Sequence, residues 1–272
     1  MVRIGFLLFF AFTIAGIPGC GSSEGLTELS VEERFEKARA LFNEEDYLDA
    51  INEFRIITLQ YQGSAYADDA QFYLGESLFR RGEYHLAALE YAQLKNNMPA
   101  SPFVAEAQYK LGLCYYNLSP KSELDQQYTL RARDELQAFV DDYAGSEYAV
   151  EAEEKIKELT SRLAKKEYDA ASLYATMGYN RSAVLVYDIV IEKYHDTEYA
   201  PLAHLGKVEA LIARKKYQEA GAALSKFLQL YPDSVLRSRA ERLRELIEQE
   251  VDSNSLSGKE SGTSQPEVGS VL

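Results

Sequence analysis

The chain has 272 residues, 46% hydrophobic and 26% charged, the balance of an ordinary folded protein. A net charge of −14 and an isoelectric point near 4.8 argue against a phosphate-binding surface, so no nucleic-acid partner is expected. Three histidines, two cysteines and no tryptophan offer little for metal, disulfide or glycan-stacking chemistry.

Residues 1–19 read as a leader. Arg3 provides a short positive start, and Ile4 to Ile17 is an apolar run of signal-peptide length, too short to span a bilayer. It closes on Ile17-Pro18-Gly19-Cys20, which resembles a bacterial lipobox with Cys20 as the lipidated residue; Pro18 departs from the usual small residue. No Asp follows Cys20, as in lipoproteins forwarded to the outer membrane. Residues 20–29 are then a flexible tether. With Cys20 lipidated, Cys114 has no disulfide partner, and its place beside Tyr115-Tyr116 on a helix predicts a small buried apolar residue.

Ser30-Val31-Glu32-Glu33 has the form of a capping box and predicts the first helix. The pattern is clearest over Gln71 to Pro99. Gly75 and Ala87 are small where two helices must cross, and Leu78, Tyr91 and Leu94 fill the space between them. Gly82 suits a left-handed helix end, and Pro99 stops the second helix. Leu74-Gly75, Leu78, Gly82-Glu83-Tyr84, Ala87, Tyr91, Leu94 and Pro99 together resemble a tetratricopeptide (TPR) unit. The turn tyrosine recurs as Tyr47, Tyr128, Tyr179 and Tyr217, and the small residue as Ala50, Ala132, Ala183 and Ala220. Hydroxyls recur at Ser64, Ser101, Ser146, Thr197 and Ser234, where N-caps of the following helices are expected. From Ser30 the steps between them are 34, 37, 45, 51 and 37 residues.

The expected fold is therefore all-α: a TPR superhelix of about five helix-turn-helix repeats plus a C-terminal cap helix. The repeats cover about 30–63, 64–100, 101–145, 146–196 and 197–233, with the cap over 234–251 and a disordered tail over 252–272. The third repeat carries a long turn, Asn117 to Glu123, which reads equally as a functional loop or a tolerated insertion. From Ser146 to Met177 there is neither Gly nor Pro, predicting one long helix that overshoots its neighbours.

No catalytic or metal-binding motif is present. His85, His195 and His204 lack metal-ligand spacing, and no nucleophile elbow, phosphate loop or nucleotide fingerprint occurs. The expected protein is not an enzyme and carries no cofactor or metal. The informative pattern is aromatic. Phe35 and Phe42, Phe72 and Phe79, and Tyr109 and Tyr116 stand seven residues apart on the first helices of repeats one to three. The second of each pair is followed by Asn43, Arg80 and Asn117. Seven residues is nearly two helical turns, so each pair shares a flank. One reading is a peptide-binding groove lined by these rings, with Arg39, Glu76 and Arg80 deeper on the concave side to hold a peptide backbone or carboxylate. The other is that the rings pack one repeat on the next. The pairs stop after repeat three, which suggests different partners for the two halves.

Lipobox, tether, five repeats, the Asp125-Gln126-Gln127-Tyr128-Thr129 start of the sixth helix, and Arg162-Leu163-Ala164-Lys165-Lys166-Glu167-Tyr168 running into Tyr174 and Gly178-Tyr179 together resemble the BamD family. These are the TPR lipoproteins of the outer-membrane β-barrel assembly machinery, and the resemblance covers about Glu32 to Asp233. It departs from the family at Tyr61-Gln62, Tyr143-Ala144 and Tyr194-His195, where Tyr-Pro is common. The resemblance implies a periplasmic scaffold held by its N-terminal lipid on the inner leaflet of a Gram-negative outer membrane. It implies that the C-terminal repeats hold the periplasmic domains of a BamA-type β-barrel insertase. Unfolded outer-membrane β-barrel precursors would enter the N-terminal groove, and other assembly-machinery lipoproteins are further partners. The alternative is another envelope TPR scaffold, coordinating cell-wall synthesis or secretion through peptides or protein partners. Such scaffolds that serve the cell wall usually carry an N-terminal coiled coil, and no heptad run precedes Ser30.

Overall fold

The computed structural model describes residues 29–260, with side chains as far as Ser253. The leader, the Cys20 lipid site, most of the tether and residues 261–272 lie outside the described residues. Within them there are eleven α-helices and no strand. The helices are α1 (Val31–Asn43), α2 (Tyr47–Gln60), α3 (Ala67–Arg80), α4 (Tyr84–Asn97), α5 (Val104–Leu118) and α6 (Gln127–Asp142). They continue as α7 (Ala149–Thr176), α8 (Asn180–Lys193), α9 (Tyr199–Ala213), α10 (Tyr217–Leu230) and α11 (Arg237–Glu260). Each packs on the next in sequence, giving five hairpins closed by α11, the TPR superhelix expected from the repeats. The long helix is α7, whose 28 residues make it twice the length of α8.

One turn geometry closes four of the five hairpins. Glu45, Gly82, Gly178 and Lys215 have φ of 64°, 76°, 81° and 59°. The N–H of the residue after each reaches back over five residues: Asp46 to Leu41 at 2.9 Å, Glu83 to Leu78 at 2.9 Å, Tyr179 to Tyr174 at 2.8 Å and Lys216 to Leu211 at 2.9 Å. This is the Schellman arrangement, which satisfies carbonyls that a helix end leaves open. Inside each hairpin, Ala50, Ala87, Ala132, Ala183 and Ala220 are fully buried. A Cβ on Gly75 would stand 2.8 Å from the Tyr91 ring, which is why the second repeat needs glycine at that crossing.

Three expectations are corrected. Ser30 caps α1 in a full capping box, but the five later hydroxyls do not cap the helices that follow them. They stand two or three residues before the first helical residue and close a lead-in turn. The Ser101, Ser146 and Ser234 hydroxyls accept from the N–H two residues on, and Thr197 donates to the Tyr194 carbonyl. Tyr66, Phe103, Tyr148 and Glu198 hold the cap positions without a side-chain bond; the Ser101, Ser146 and Thr197 hydroxyls are engaged in the lead-in turn, and that of Ser64 is buried without a partner among the described residues. The closing helix starts at Arg237 rather than 234. It also runs through Glu260, past the predicted break at 252, since adding residues to an existing helix costs far less than starting one.

The third hairpin lacks the left-handed turn. Its long connection is instead folded onto α7. Arg162 Nη1 donates to the Ser119 hydroxyl at 2.7 Å and to the Ser119 and Pro120 carbonyls at 3.2 and 3.3 Å. Lys166 donates to the Leu124 carbonyl at 2.7 Å. From the other side, Gln126 donates to the Lys121 and Leu124 carbonyls and accepts from Thr129, which also pairs with Ser119 at 2.6 Å. Ser122, Gln126 and Thr129 are buried. The Asp125–Thr129 and Arg162–Lys166 segments singled out in the sequence are thus two sides of one hydrogen-bonded splint.

A polar side chain is buried at one register position of the first helices. Eleven residues before the left-handed residue stand Arg34, Gln71 and His204. Arg34 pairs with Glu53 at 2.5 Å, and Gln71 donates to the Glu90 carboxylate at 2.7 Å. His204 has no hydrogen-bond partner among the described residues and is 4% exposed. Burial, reinforced by Lys226 and Lys207 and opposed by Asp188, lowers its imidazole to about 4.

Three outcomes are expected. Glu45→Gly and Lys215→Gly should each stabilise the fold by about 1 kcal/mol and Gly82→Ala should destabilise it similarly, since only glycine adopts positive φ freely; chemical denaturation measures both. Arg162→Ala should cost about 2 kcal/mol, with Arg162→Lys recovering only part, because the fork geometry is lost. For His204 the unfolded imidazole binds its proton near pH 6.5, before the folded one. Stability should therefore be full above that value and fall between about pH 6.5 and pH 4. His204→Gln should flatten that part of the pH–stability profile.

Candidate functional site

The odd-numbered helices α1 to α9 carry the side chains that link one repeat to the next, and the predicted groove residues lie among them. Phe35, Phe72 and Tyr109 are buried between repeats. Phe35 lies 5.1 Å from Tyr66 and 6.0 Å from Phe54, Phe72 stacks on Phe103 at 4.6 Å, and Tyr109 on Tyr148 at 4.8 Å. Phe72 and Tyr109 do not line an open groove, and Phe35 offers only an edge to one. Their position on the helix faces the lead-in turn of the following repeat, or the second helix of their own, and apolar burial there exceeds any gain from exposure.

The second ring of each pair is half-buried. Phe42 is held edge-on between Tyr47 at 5.5 Å and Tyr73 at 5.4 Å. Phe79 meets Tyr84 at 5.2 Å, and the Lys110 ammonium stands 5.5 Å over its face. Tyr116 carries Lys155 at 4.4 Å over its ring and donates its hydroxyl to Glu158 at 2.5 Å. The outward faces of Phe79 and Tyr116 are thus covered by cations from the next repeat. Sequence reasoning missed these lysines, which lie on the neighbouring helix and outside the aromatic spacing.

The polar residues divide as well. Glu76 is 6% exposed, ion-paired with Lys110 at 2.8 Å and accepting a short hydrogen bond from the Tyr91 hydroxyl. It is therefore unavailable to a peptide. Burial and this carboxylate together push the Tyr91 hydroxyl well up. Arg39 behaves differently. Its guanidinium lies flat on Tyr73, 3.8 Å from the ring centroid, and none of its N–H groups has a protein acceptor among the described residues. Around it is a depression of about 450 Å³ lined by Phe35, Glu36, Asn43, Asp69 and Tyr73. Burial and Asp68 raise the Asp69 carboxyl against the pull of Arg39. Asn43 and Arg80 are exposed. Of the predicted groove, Arg39, Asn43 and the edge of Phe35 come together, and Arg80 stands exposed on the next repeat.

A second surface went unread in the sequence. The C-terminal end of α7 carries Leu173, Tyr174 and Met177, which are 59%, 39% and 57% exposed, and Tyr179 at the start of α8 is 58% exposed. Leu173 and Met177 share a face at four-residue spacing, and the turn hydrogen bond brings Tyr179 back to Tyr174. Together they form the apolar cluster exposed at this end of α7. The available signal was the helix length together with apolar residues at its end. No helix among the described residues is long and apolar enough to cross a membrane, and no cluster of metal-ligating side chains occurs among them.

The family model described as outer membrane lipoprotein (YfiO) matches residues 27–213, and a tetratricopeptide repeat model matches 203–234. The outer membrane protein assembly factor BamD of Caulobacter vibrioides (strain ATCC 19089 / CIP 103742 / CB 15) is 25% identical over 211 residues, covering 76% of this chain and 69% of the relative. Among solved structures, the TPR2AB domain of yeast Sti1 in complex with pHSP90 aligns at 15% identity and a TM-score of 0.43, covering 83% of this chain and 85% of that one. The P58(IPK) TPR domain aligns at 18% identity and a TM-score of 0.41, covering 82% of this chain but only 57% of that one. With the family model matching well over half of its length, this chain belongs to the YfiO family of outer membrane lipoproteins.

Proposed function

We propose that this protein is a lipid-anchored periplasmic scaffold for assembly of outer-membrane β-barrels, tethered through Cys20, which holds an insertase and receives unfolded barrel precursors. The match to the outer membrane lipoprotein family over residues 27–213 carries the reading, and similarity to an outer membrane protein assembly factor gives it direction.

The two surfaces have the chemistry these tasks require. An unfolded precursor offers backbone carbonyls, carboxylates and apolar side chains in extended form. Arg39, fixed on Tyr73 with its donors open, suits such acceptors, and stacking removes most of the rotamer entropy that binding would otherwise cost. Asn43 adds an amide, and the edge of Phe35 adds apolar contact. The insertase is assigned to the α7 tip, where Leu173, Tyr174, Met177 and Tyr179 present a compact apolar and aromatic cluster of the type that anchors interfaces. Separation of the two surfaces lets one partner stay bound while the other is exchanged.

The test is recovery of partners from solubilised envelopes with the tagged, lipidated protein. The wild type should retain an outer-membrane insertase and bind precursor peptides. Arg39→Ala should weaken peptide binding about tenfold or more with insertase retention unchanged, the loss of a charge-assisted bond. Leu173→Glu with Met177→Glu should do the reverse. Recovery of cell-wall enzymes without an insertase would overturn the assembly reading and leave a TPR scaffold of the envelope.

A further inference from the structure

The fifth repeat lacks a polar pair that repeats one and two share. In repeats one and two the buried polar residue of the first helix meets a glutamate three residues after the small alanine of the second helix. These pairs are Arg34 with Glu53, after Ala50, and Gln71 with Glu90, after Ala87. In repeat five the register places His204 opposite Ala223, three residues after Ala220. The carboxylate is missing, and the imidazole stays buried without a hydrogen bond among the described residues. Its ring lies 5.7 Å from that of Tyr231 and 6.4 Å from that of Phe227 between centroids.

Beside it is a cavity of about 300 Å³ lined by Ile191, His195, His204, Lys226, Leu230 and Tyr231. Its walls are mainly apolar. Lys226 stands at the edge without an ion pair among the described residues, whereas Lys207, also near His204, is neutralised by Asp188 at 2.6 Å. Asp188 is thus committed to Lys207, leaving no carboxylate among the cavity's own lining residues. With no acceptor among the described residues taking its proton, the His204 ring is free to hydrogen-bond a ligand seated in the cavity that it lines.

We propose that this cavity binds a carboxylate carried on a short apolar body. The carboxylate would accept from His204 and Lys226, filling the role that Glu53 and Glu90 play within their own repeats, while Ile191 and Leu230 enclose the apolar part. The chemistry is that of a free alkyl acid or of an acidic side chain flanked by aliphatic ones in a polypeptide. The inference does not depend on the assembly role.

The experiment is NMR of the full, detergent-solubilised chain carrying ¹³C-labelled histidine. It is titrated in turn with sodium hexanoate, an acetylated and amidated leucine–glutamate–leucine peptide, and hexanol. A saturable shift of the His204 signal and a rise in its pH midpoint are expected with hexanoate, with the peptide, or with both. A response to hexanoate alone identifies a free acid and a response to the peptide identifies a protein segment. Lys226→Gln, at an exposed position that leaves the fold intact, should weaken binding about tenfold, the worth of one charge-assisted bond. Ala223→Glu should raise the His204 midpoint unaided and abolish the hexanoate response. Equal shifts with hexanol and hexanoate, or no shift with any probe, would overturn the proposal.

Discussion

The residue with positive φ at the tip of each hairpin governs the rest of the molecule. It turns the chain so that the next N–H reaches a carbonyl five residues back, and the second helix then returns along the first at a fixed angle. Repeating this angle at Glu45, Gly82, Gly178 and Lys215 keeps the repeats in register, which stacks their faces into a continuous surface. The third hairpin, which lacks the residue, needs another constraint. Arg162, Lys166, Gln126 and Thr129 provide it by fastening the long connection to α7. A splint of buried, mutually satisfied polar groups rigidifies as effectively as a tight turn.

From this regular stacking follows the division of the aromatic stripe. Rings at the first position of each pair face a neighbouring repeat or their own second helix and are buried. Rings at the second position stand nearer the helix end and are shielded by a tyrosine of the turn or a lysine from the next helix. What remains open on the N-terminal repeats is cationic rather than aromatic. Arg39 and Arg80 are therefore distinctive on a chain of net charge −14. At the C-terminal end of α7, Ala171 is buried against the last repeat while Leu173, Tyr174 and Met177 stay exposed on the outer side.

Much of this could be read from the chain because repetition averages out local ambiguity. Ser30, Gly82, the small alanines and the long uninterrupted α7 each carry a signal confined to a few neighbouring residues. The later hydroxyls were misplaced because a serine that opens a lead-in turn looks the same in sequence as one that caps a helix. Glu45 and Lys215 gave no warning of positive φ, since neither favours it. The aromatic spacing revealed a shared flank but not what lies against it, which depends on residues in another repeat. The splint joins residues 43 apart, as Ser119 and Arg162 are, so its two halves stood out in the sequence without their contact being visible. The unpaired His204 has meaning only after the helices are superimposed in register.

The most direct test of the two-surface account is photo-crosslinking in living cells from probes placed singly at Asn43 and Met177. The account predicts that Asn43 captures unfolded outer-membrane precursors and Met177 captures the insertase, with little exchange between them. Capture of the same partner from both positions, or of cell-wall enzymes from either, would contradict it.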